Sequence, residues 1–165
     1  MDKLNIDHEQ LKGLVSKICR DITISGWRPD YVVGLTRGGL TPAVMISHYF
    51  GVPCETLKVS LRDGGEPESN LWMAEDAFEG RNILVVDDIN DTGATIDWII
   101  KDWPRGIYAE EEHWNAIWHN NVRFAVLIDN LSSRCSIEVD YSGTEINKTQ
   151  QDVWVDFFWE SWWLK

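Results

Sequence analysis

Hydrophobic and polar positions follow two repeating patterns along this chain. Leu11, Leu14, Val15, Ile18, Cys19 and Ile22 recur at helical spacing on one face, which predicts an amphipathic helix capped by Asp7 and closed by Gly26 and Pro29. Short apolar runs make the second pattern. Tyr31-Val32-Val33-Gly34-Leu35 predicts a strand, the Arg37-Gly38-Gly39 turn follows, and Thr41 to Phe50 reads as a helix. Glu55 to Leu61 reads as a second strand, and Arg62 to Asn70, with Gly64, Gly65 and Pro67 among charges, as a mobile loop. Arg81 to Asp88 holds Ile83-Leu84-Val85-Val86, the pattern of a strand buried on both faces, and it ends in two aspartates. A helix is predicted from Gly93 to Trp103, stopped by Pro104; Ala109 to Asn120 reads as a further helix and Arg123 to Ile128 as a strand. Strands alternating with helices predict an α/β fold with a mostly parallel central sheet flanked by helices. From Ser136 to Lys165 the polar–apolar alternation of SIEV and DVWVDFFW predicts an extended flap, a small hood over one end of the sheet.

The 165 residues suit one domain spanning 1–165, with the hood at about 136–165. Apolar residues at 44% and charged residues at 25% are a globular balance and exclude a disordered chain or a fibre. The net charge of −12 repels phosphate backbones and anionic lipid, so neither a nucleic acid nor a membrane is expected as partner. Cys19, Cys54 and Cys135 are odd in number, with no CxxC pair, and read as reduced thiols of a cytoplasmic protein. The polar start MDKLNIDHEQ has no apolar core of a signal peptide, and no run of about 18 apolar residues offers a membrane span. Glu110, Glu111, Glu112, His113 and His119 read as the charged face of a helix, and Gly143-Thr144-Glu145 as a turn. Asn147-Lys148-Thr149 matches a glycosylation sequon, which has no meaning without secretion.

The chemistry concentrates in Val85-Val86-Asp87-Asp88-Ile89-Asn90-Asp91-Thr92-Gly93-Ala94-Thr95. A buried strand delivers carboxylates to its tip, and a small-residue loop then opens a helix whose free N–H groups, with the Thr92 and Thr95 hydroxyls, suit a phosphate. A site both acidic and phosphate-binding fits a phosphorylated sugar whose hydroxyls are held by Asp87 and Asp88, with a divalent metal offsetting the remaining charge.

This stretch resembles the signature of the type I phosphoribosyltransferases, which bind 5-phosphoribosyl 1-pyrophosphate with Mg2+. The resemblance implies that Asp87 and Asp88 hold the ribose hydroxyls, Asp88 meeting the metal directly or through them. Thr92, Gly93, Ala94 and Thr95 would anchor the 5′-phosphate, and Asp91 would be the general base or proton partner at purine N7. Thr36-Arg37-Gly38-Gly39-Leu40 lies where the family places its pyrophosphate loop, which implies that Arg37, Gly38 and Gly39 contact the pyrophosphate. The segment Arg62 to Asn70 matches the family's flexible lid in position. Asp152-Val153-Trp154-Val155-Asp156-Phe157-Phe158-Trp159-Glu160 is similar to the base-binding hood of bacterial xanthine-guanine phosphoribosyltransferases. Trp154 would stack on the purine and the backbone of Val155 would read its edge, while Trp159 reads as a core aromatic. Glu160 falls near a carboxylate that in relatives lies close to metal and pyrophosphate.

The chain also departs from that branch. Where the 6-oxopurine enzymes carry a lysine that donates to O6, this sequence reads Asp129-Asn130-Leu131, and Asn130 is the nearest match; its amide can donate to a 6-oxo group or accept from a 6-amino group. Ser60 is followed by Leu61, not by the tyrosine common in the branch, and the segment from Pro104 to Val122 has no counterpart in the short bacterial enzymes. The implied activity is purine salvage with guanine, xanthine or hypoxanthine, in a homo-oligomer (dimer or tetramer). Transfer to adenine or a pyrimidine, and a non-catalytic regulator that binds phosphoribosyl pyrophosphate, stand as alternatives.

Overall fold

In chain order the elements are β1 (Asp2–Ile6), α1 (His8–Ile24), β2 (Tyr31–Thr36), α2 (Leu40–Phe50), β3 (Cys54–Lys58), α3 (Leu71–Phe78), β4 (Ile83–Asn90), α4 (Ala94–Gly106), α5 (Glu111–Asn115), β5 (Val122–Asn130), β6 (Tyr141–Ile146) and β7 (Val153–Phe157), closed by a 3₁₀ turn at Trp162–Leu164. This computed structural model describes residues 1–59, 66–107 and 110–164. Five strands form one sheet in the order β3-β2-β4-β5-β6, every neighbour parallel, and β1 pairs in parallel with β7 apart from it.

A parallel sheet needs cover on both faces, and this sheet has it. Along β4, Ile83 and Val85 enter one buried cluster with α3, α4 and the 114–118 segment, while Leu84 and Val86 enter the other with α1 and α2. The period-two alternation of strand side chains therefore accounts for four consecutive apolar residues. Helix α1 begins in a capping box, with Gln10 N donating to Asp7 Oδ1 (2.8 Å) and Asp7 N to Gln10 Oε1 (2.9 Å), and buries Leu11, Val15, Ile18, Cys19 and Ile22. Among the described residues no helix is long and apolar enough to cross a membrane.

Several boundaries differ from expectation. The polar N-terminus contains β1, because β7 offers it a parallel partner from Asp2↔Val153 to Ile6↔Phe157. The tail is not one flap: β6 is the fifth strand of the central sheet, and only β7 with β1 stands apart. Gly143-Thr144-Glu145 lies inside β6, not in a turn. A Cβ on Gly143 would meet Leu127 O at 2.6 Å and Leu14 Cβ at 2.8 Å, so glycine here lets α1 approach the strand. SIEV lies in the irregular segment before β6.

Pro104 does not stop α4, which runs on to Gly106; in a last turn, proline forfeits only one helical bond. Asn70 is not a loop residue but the N-cap of α3, accepting from Met73 N at 3.0 Å. Residues 60–65, and with them part of the expected lid, lie outside the described residues, as does Ala109. The 104–122 segment carries α5 and buries Trp114 and Trp118 beside Trp103 and Phe124, with ring centroids 5.3–6.1 Å apart along the series. Its role is to cover one face of the sheet.

Candidate active site

The strand order sets where a ligand can enter. The connection leaving β2 carries the chain to β3 on one side, whereas the connection leaving β4 carries it to β5 on the other, so the carboxyl ends of the adjacent strands β2 and β4 open a crevice between them. A cavity of about 680 Å³ lies there. Its walls are Leu35 and Thr36 at the end of β2 with Arg37 and Gly38 after it, Asp87 to Asn90 at the end of β4, Asp91 to Ile96 in the loop and first turn of α4, and Trp159 to Trp163 of the tail.

Each wall has a local cause. The 37–39 turn presses against β4 so closely that a Cβ on Gly38 would collide with the Asp88 carboxylate, and one on Gly39 with the carbonyl oxygen of Val86. Both glycines are therefore packing requirements. The Gly39 amide is spent within the turn, donating to Leu35 O at 2.9 Å, and Gly39 is not part of the cavity wall. The Thr36–Arg37 peptide is cis. At the tip of β4, Asp88 N donates to Asp87 Oδ1 (2.9 Å) and Ile89 N to Asp88 Oδ1 (2.8 Å), which fixes both carboxylates against the strand end.

Gly93 makes the turn into α4 with φ of +91°, and a Cβ there would overlap the backbone nitrogen of Cys135. The helix has no side-chain N-cap; only Ala94 N meets Thr92 Oγ1, at 3.3 Å. Its first turn thus presents backbone N–H groups and the positive end of a helix dipole toward the cavity. The loop is braced from behind, with Arg134 N donating to Thr92 O (2.9 Å) and Ser136 N and Oγ donating to Asp97 Oδ1 (2.9 and 2.6 Å). Burial pushes the neighbouring Cys135 thiol up to about 11, so it stays protonated at neutral pH.

Arg37, Gly38, Asp87, Asp88, Asp91, Thr92, Gly93, Ala94 and Thr95 are therefore brought to one cavity. Asn130, Trp154 and Val155 are not among its walls. Val155 faces inward from β7 and is buried, and Trp154, next to it, points outward at 48% exposure, as strand alternation requires. Asn130 is buried and committed to the protein. Its Nδ2 donates to the Asp91 carbonyl (2.9 Å), while its Oδ1 accepts from Ser132 N, Ser132 Oγ and Lys148 N at 3.2, 2.8 and 3.1 Å. It organises loops and has no acceptor lone pair left for a 6-amino group.

Sequence reasoning missed two contributors. Trp159, Trp162 and Trp163 form an aromatic wall, with Trp159 stacked on Phe157 at 4.7 Å and Trp162 and Trp163 largely exposed. The tryptophan-rich tail was the available signal, but an irregular 3₁₀ turn has no periodicity to read. Lys148, on the β6–β7 loop, places Nζ 3.0 Å from Asp91 Oδ1. Nothing in sequence joins two residues so far apart.

Comparison with known proteins agrees with this geometry. The family described as "Phosphoribosyl transferase domain" matches residues 4–161, nearly the whole chain. The chain belongs to the phosphoribosyltransferase family. Among phosphoribosyltransferases it is similar to the xanthine-guanine phosphoribosyltransferase of Cereibacter sphaeroides, at 29% identity over 87% of this chain and 83% of the relative. The xanthine-guanine phosphoribosyltransferase of Roseobacter denitrificans is 26% identical, covering 96% of this chain and 90% of its own. The fold resembles the crystal structure of a purine phosphoribosyltransferase from Pyrococcus horikoshii, with a TM-score of 0.68 at 24% identity over 98% of this chain and 96% of that one.

Proposed function

We propose that this phosphoribosyltransferase transfers the phosphoribosyl group of 5-phosphoribosyl 1-pyrophosphate to a 6-oxopurine, releasing pyrophosphate and forming the nucleoside monophosphate. One observation carries the reading. The uncapped start of α4, the Asp87–Asp88 pair and the Arg37-Gly38 turn share one cavity at the switch point of the sheet, and their chemistry suits a phosphate, a diol and a second anion in that order. The relatives named xanthine-guanine phosphoribosyltransferases favour a 6-oxopurine as acceptor.

In this reading the first turn of α4 binds the 5′-phosphate through backbone N–H groups and the Thr92 and Thr95 hydroxyls. Asp87 and Asp88 hold the ribose hydroxyls, which fixes C1 relative to the base. Arg37 and the backbone of Gly38 hold the pyrophosphate, whose charge grows as its bond to C1 lengthens, so their attraction is strongest near the transition state. Asp91 manages the proton at purine N7. The tryptophan wall keeps water from the cation-like ribose.

The donor set fits Mg2+. Asp87 and Asp88 offer adjacent hard oxygens, and among the described residues no cluster of three or more metal-ligating side chains forms a cage. Magnesium takes one or two carboxylates and completes its shell with substrate oxygens and water. When bound, it would neutralise charge on the pyrophosphate; Asp88 would hold it, directly or through the ribose hydroxyls. The same reading places the protein in the cytoplasm as a homo-oligomer, a dimer or tetramer. The apolar residues Leu71, Trp72 and Phe78, all exposed on α3, favour self-association, which sedimentation would test.

The deciding experiment supplies phosphoribosyl pyrophosphate, magnesium and, in turn, guanine, xanthine, hypoxanthine, adenine or uracil, and follows pyrophosphate release. Release with one or more of the first three is expected. Release with adenine or uracil alone would overturn the 6-oxopurine assignment, and no release with any base would favour a non-catalytic regulator.

A further inference from the structure

The tail wall of the cavity has an anchored end and a free end. Trp159 is the anchor: it stacks on Phe157 at 4.7 Å and meets Phe158 edge-on at 5.3 Å, and Phe158 in turn stacks on His8 at 3.8 Å. It also packs against the buried cluster of α1 and α2. Two residues on, the chain reverses at Ser161, whose φ of +46° lies in the left-handed region that residues with a Cβ seldom adopt. The 3₁₀ turn beyond is three residues long, with Leu164 N donating to Ser161 O at 2.9 Å. Its side chains stay in water, Trp162 at 68%, Trp163 at 67% and Leu164 at 76% exposure. The two indoles pack T-shaped against each other at 6.2 Å, and both border the cavity together with Arg37, Asp88 and the start of α4.

We infer that the Trp162–Leu164 turn is a strap that swings about Ser161 onto bound phosphoribosyl pyrophosphate and shuts water out from C1. The inference rests on the proposed reading of the site and names the residues that carry out its water exclusion. Two indoles left two-thirds exposed beside a polar cavity do not exclude water where they stand; closing buries their faces and dries the site in one movement. The occupant is the sugar and its pyrophosphate, because the walls that the strap shares are those suited to a phosphate, a diol and an anion, while Trp154 and Val155 are not among them. An indole suits that cover: it has an apolar face for the carbons of a ribose and one N–H donor for an anion, with no acceptor to oppose the charge. A second protein is the poorer occupant, since a stable interface uses roughly 20–30 residues a side and this turn supplies three.

The test compares wild type with the double variants Trp162→Ala/Trp163→Ala and Trp162→Phe/Trp163→Phe. Acrylamide quenching of tryptophan fluorescence is read with and without phosphoribosyl pyrophosphate and magnesium, no base being added. In wild type the ligand should protect a quenchable component that the alanine variant lacks. Pyrophosphate release is then followed without a base, where a water oxygen bonds to C1 as the bond from C1 to pyrophosphate breaks, giving ribose 5-phosphate, pyrophosphate and a proton. The rate of this hydrolysis relative to transfer onto a 6-oxopurine should rise on the order of tenfold in the alanine variant. It should return toward wild type in the phenylalanine variant, and a loss of stability alone would not move the ratio. Urea unfolding shows that each variant is folded. No protection by the ligand, full protection before the ligand is added, or an unchanged ratio in a folded alanine variant would each overturn the strap while leaving the proposed function intact. Protection in a wild type that transfers to no 6-oxopurine would overturn the function and keep the strap, and a wild type that does not bind phosphoribosyl pyrophosphate would overturn both.

Discussion

Two adjacent glycines should give opposite phenotypes when each is changed to alanine. A Cβ on Gly38 would overlap Oδ2 and Cγ of Asp88, the far end of a side chain that can turn away. Turning costs about 0.5–1.5 kcal/mol in an off-rotamer carboxylate, and the bond from Ile89 N to Asp88 Oδ1 (2.8 Å), worth about 1 kcal/mol, is lost with it. Gly38→Ala should therefore lower stability by about 1.5–2.5 kcal/mol. Activity should suffer more, because in the proposed reading Asp88 holds the ribose and would no longer meet it. Losing one or more charged hydrogen bonds at about 1.5–3 kcal/mol each predicts a fall of roughly 10–150-fold in kcat/KM.

At Gly39 the obstacles are the Val86 carbonyl oxygen and, at 2.9 Å each, Leu35 N and O, all backbone within the central sheet. Nothing there can rotate aside, so Gly39→Ala should cost about 3 kcal/mol or more and lower the yield of folded protein. Urea unfolding read beside pyrophosphate release on the same preparations measures both quantities. The reasoning fails if Gly38→Ala is destabilised as much as Gly39→Ala, or if it keeps activity within about threefold of wild type.

Asp91→Asn should lower kcat far more than it weakens phosphoribosyl pyrophosphate binding; equal losses in steady-state rate and Kd would count against a role in proton transfer. Chelating magnesium should weaken phosphoribosyl pyrophosphate binding steeply, as titration calorimetry would show, and affinity unchanged by chelation would reject the proposed metal. Cys19 and Cys135, raised by burial from about 9 to about 11, should contribute stability in full below pH 9 that is lost as pH climbs through 11, at up to about 1.4 kcal/mol per pH unit for each thiol. Tyr31, raised by burial and by its 2.9 Å bond to Asp76, adds to the same alkaline loss. Urea midpoints from pH 8 to 10.5 should therefore fall less steeply in Cys19→Ala, and an identical slope would contradict the burial argument.

How much of this was legible in the sequence depends on how local the cause is. Ile83-Leu84-Val85-Val86 followed by Asp87-Asp88 announces a buried parallel strand with carboxylates at its tip, because burial on both faces leaves no polar position until the strand emerges. The start of α4 was equally readable, since only a small-residue turn with a left-handed glycine brings a helix N-terminus so close to the strand end. The hood was not. β7 finds its partner in β1, at the other end of the chain, and that pairing turns Val155 into the core and Trp154 outward. A motif match could not report which residues of that segment face the cavity and which face away. Asn130 was misjudged for a similar reason: an amide can present either face to a ligand, and only the positions of Ser132 and Lys148 show that both faces are engaged within the protein.

The acid excess also gains meaning from the site. A chain at −12 that takes up a polyanion would be expected to gather lysines round its pocket, yet the walls carry Asp87, Asp88, Asp91 and Glu160 with Arg37 as their cation. Backbone N–H groups resolve the conflict, because they bind phosphate without net charge and cost little reorganisation when held in a braced helix start. In the proposed reading the carboxylates are then free for tasks that a basic pocket could not perform: gripping a sugar's hydroxyls, holding a divalent ion and moving a proton. Long-range repulsion remains. At about 0.15 M salt it is screened beyond roughly 8 Å, so it acts on the approach of the substrate more than on the bound complex. An acidic surface should therefore slow capture without weakening the grip inside the cavity, and in the proposed reading a metal arriving with the substrate would offset the part of the repulsion that screening leaves.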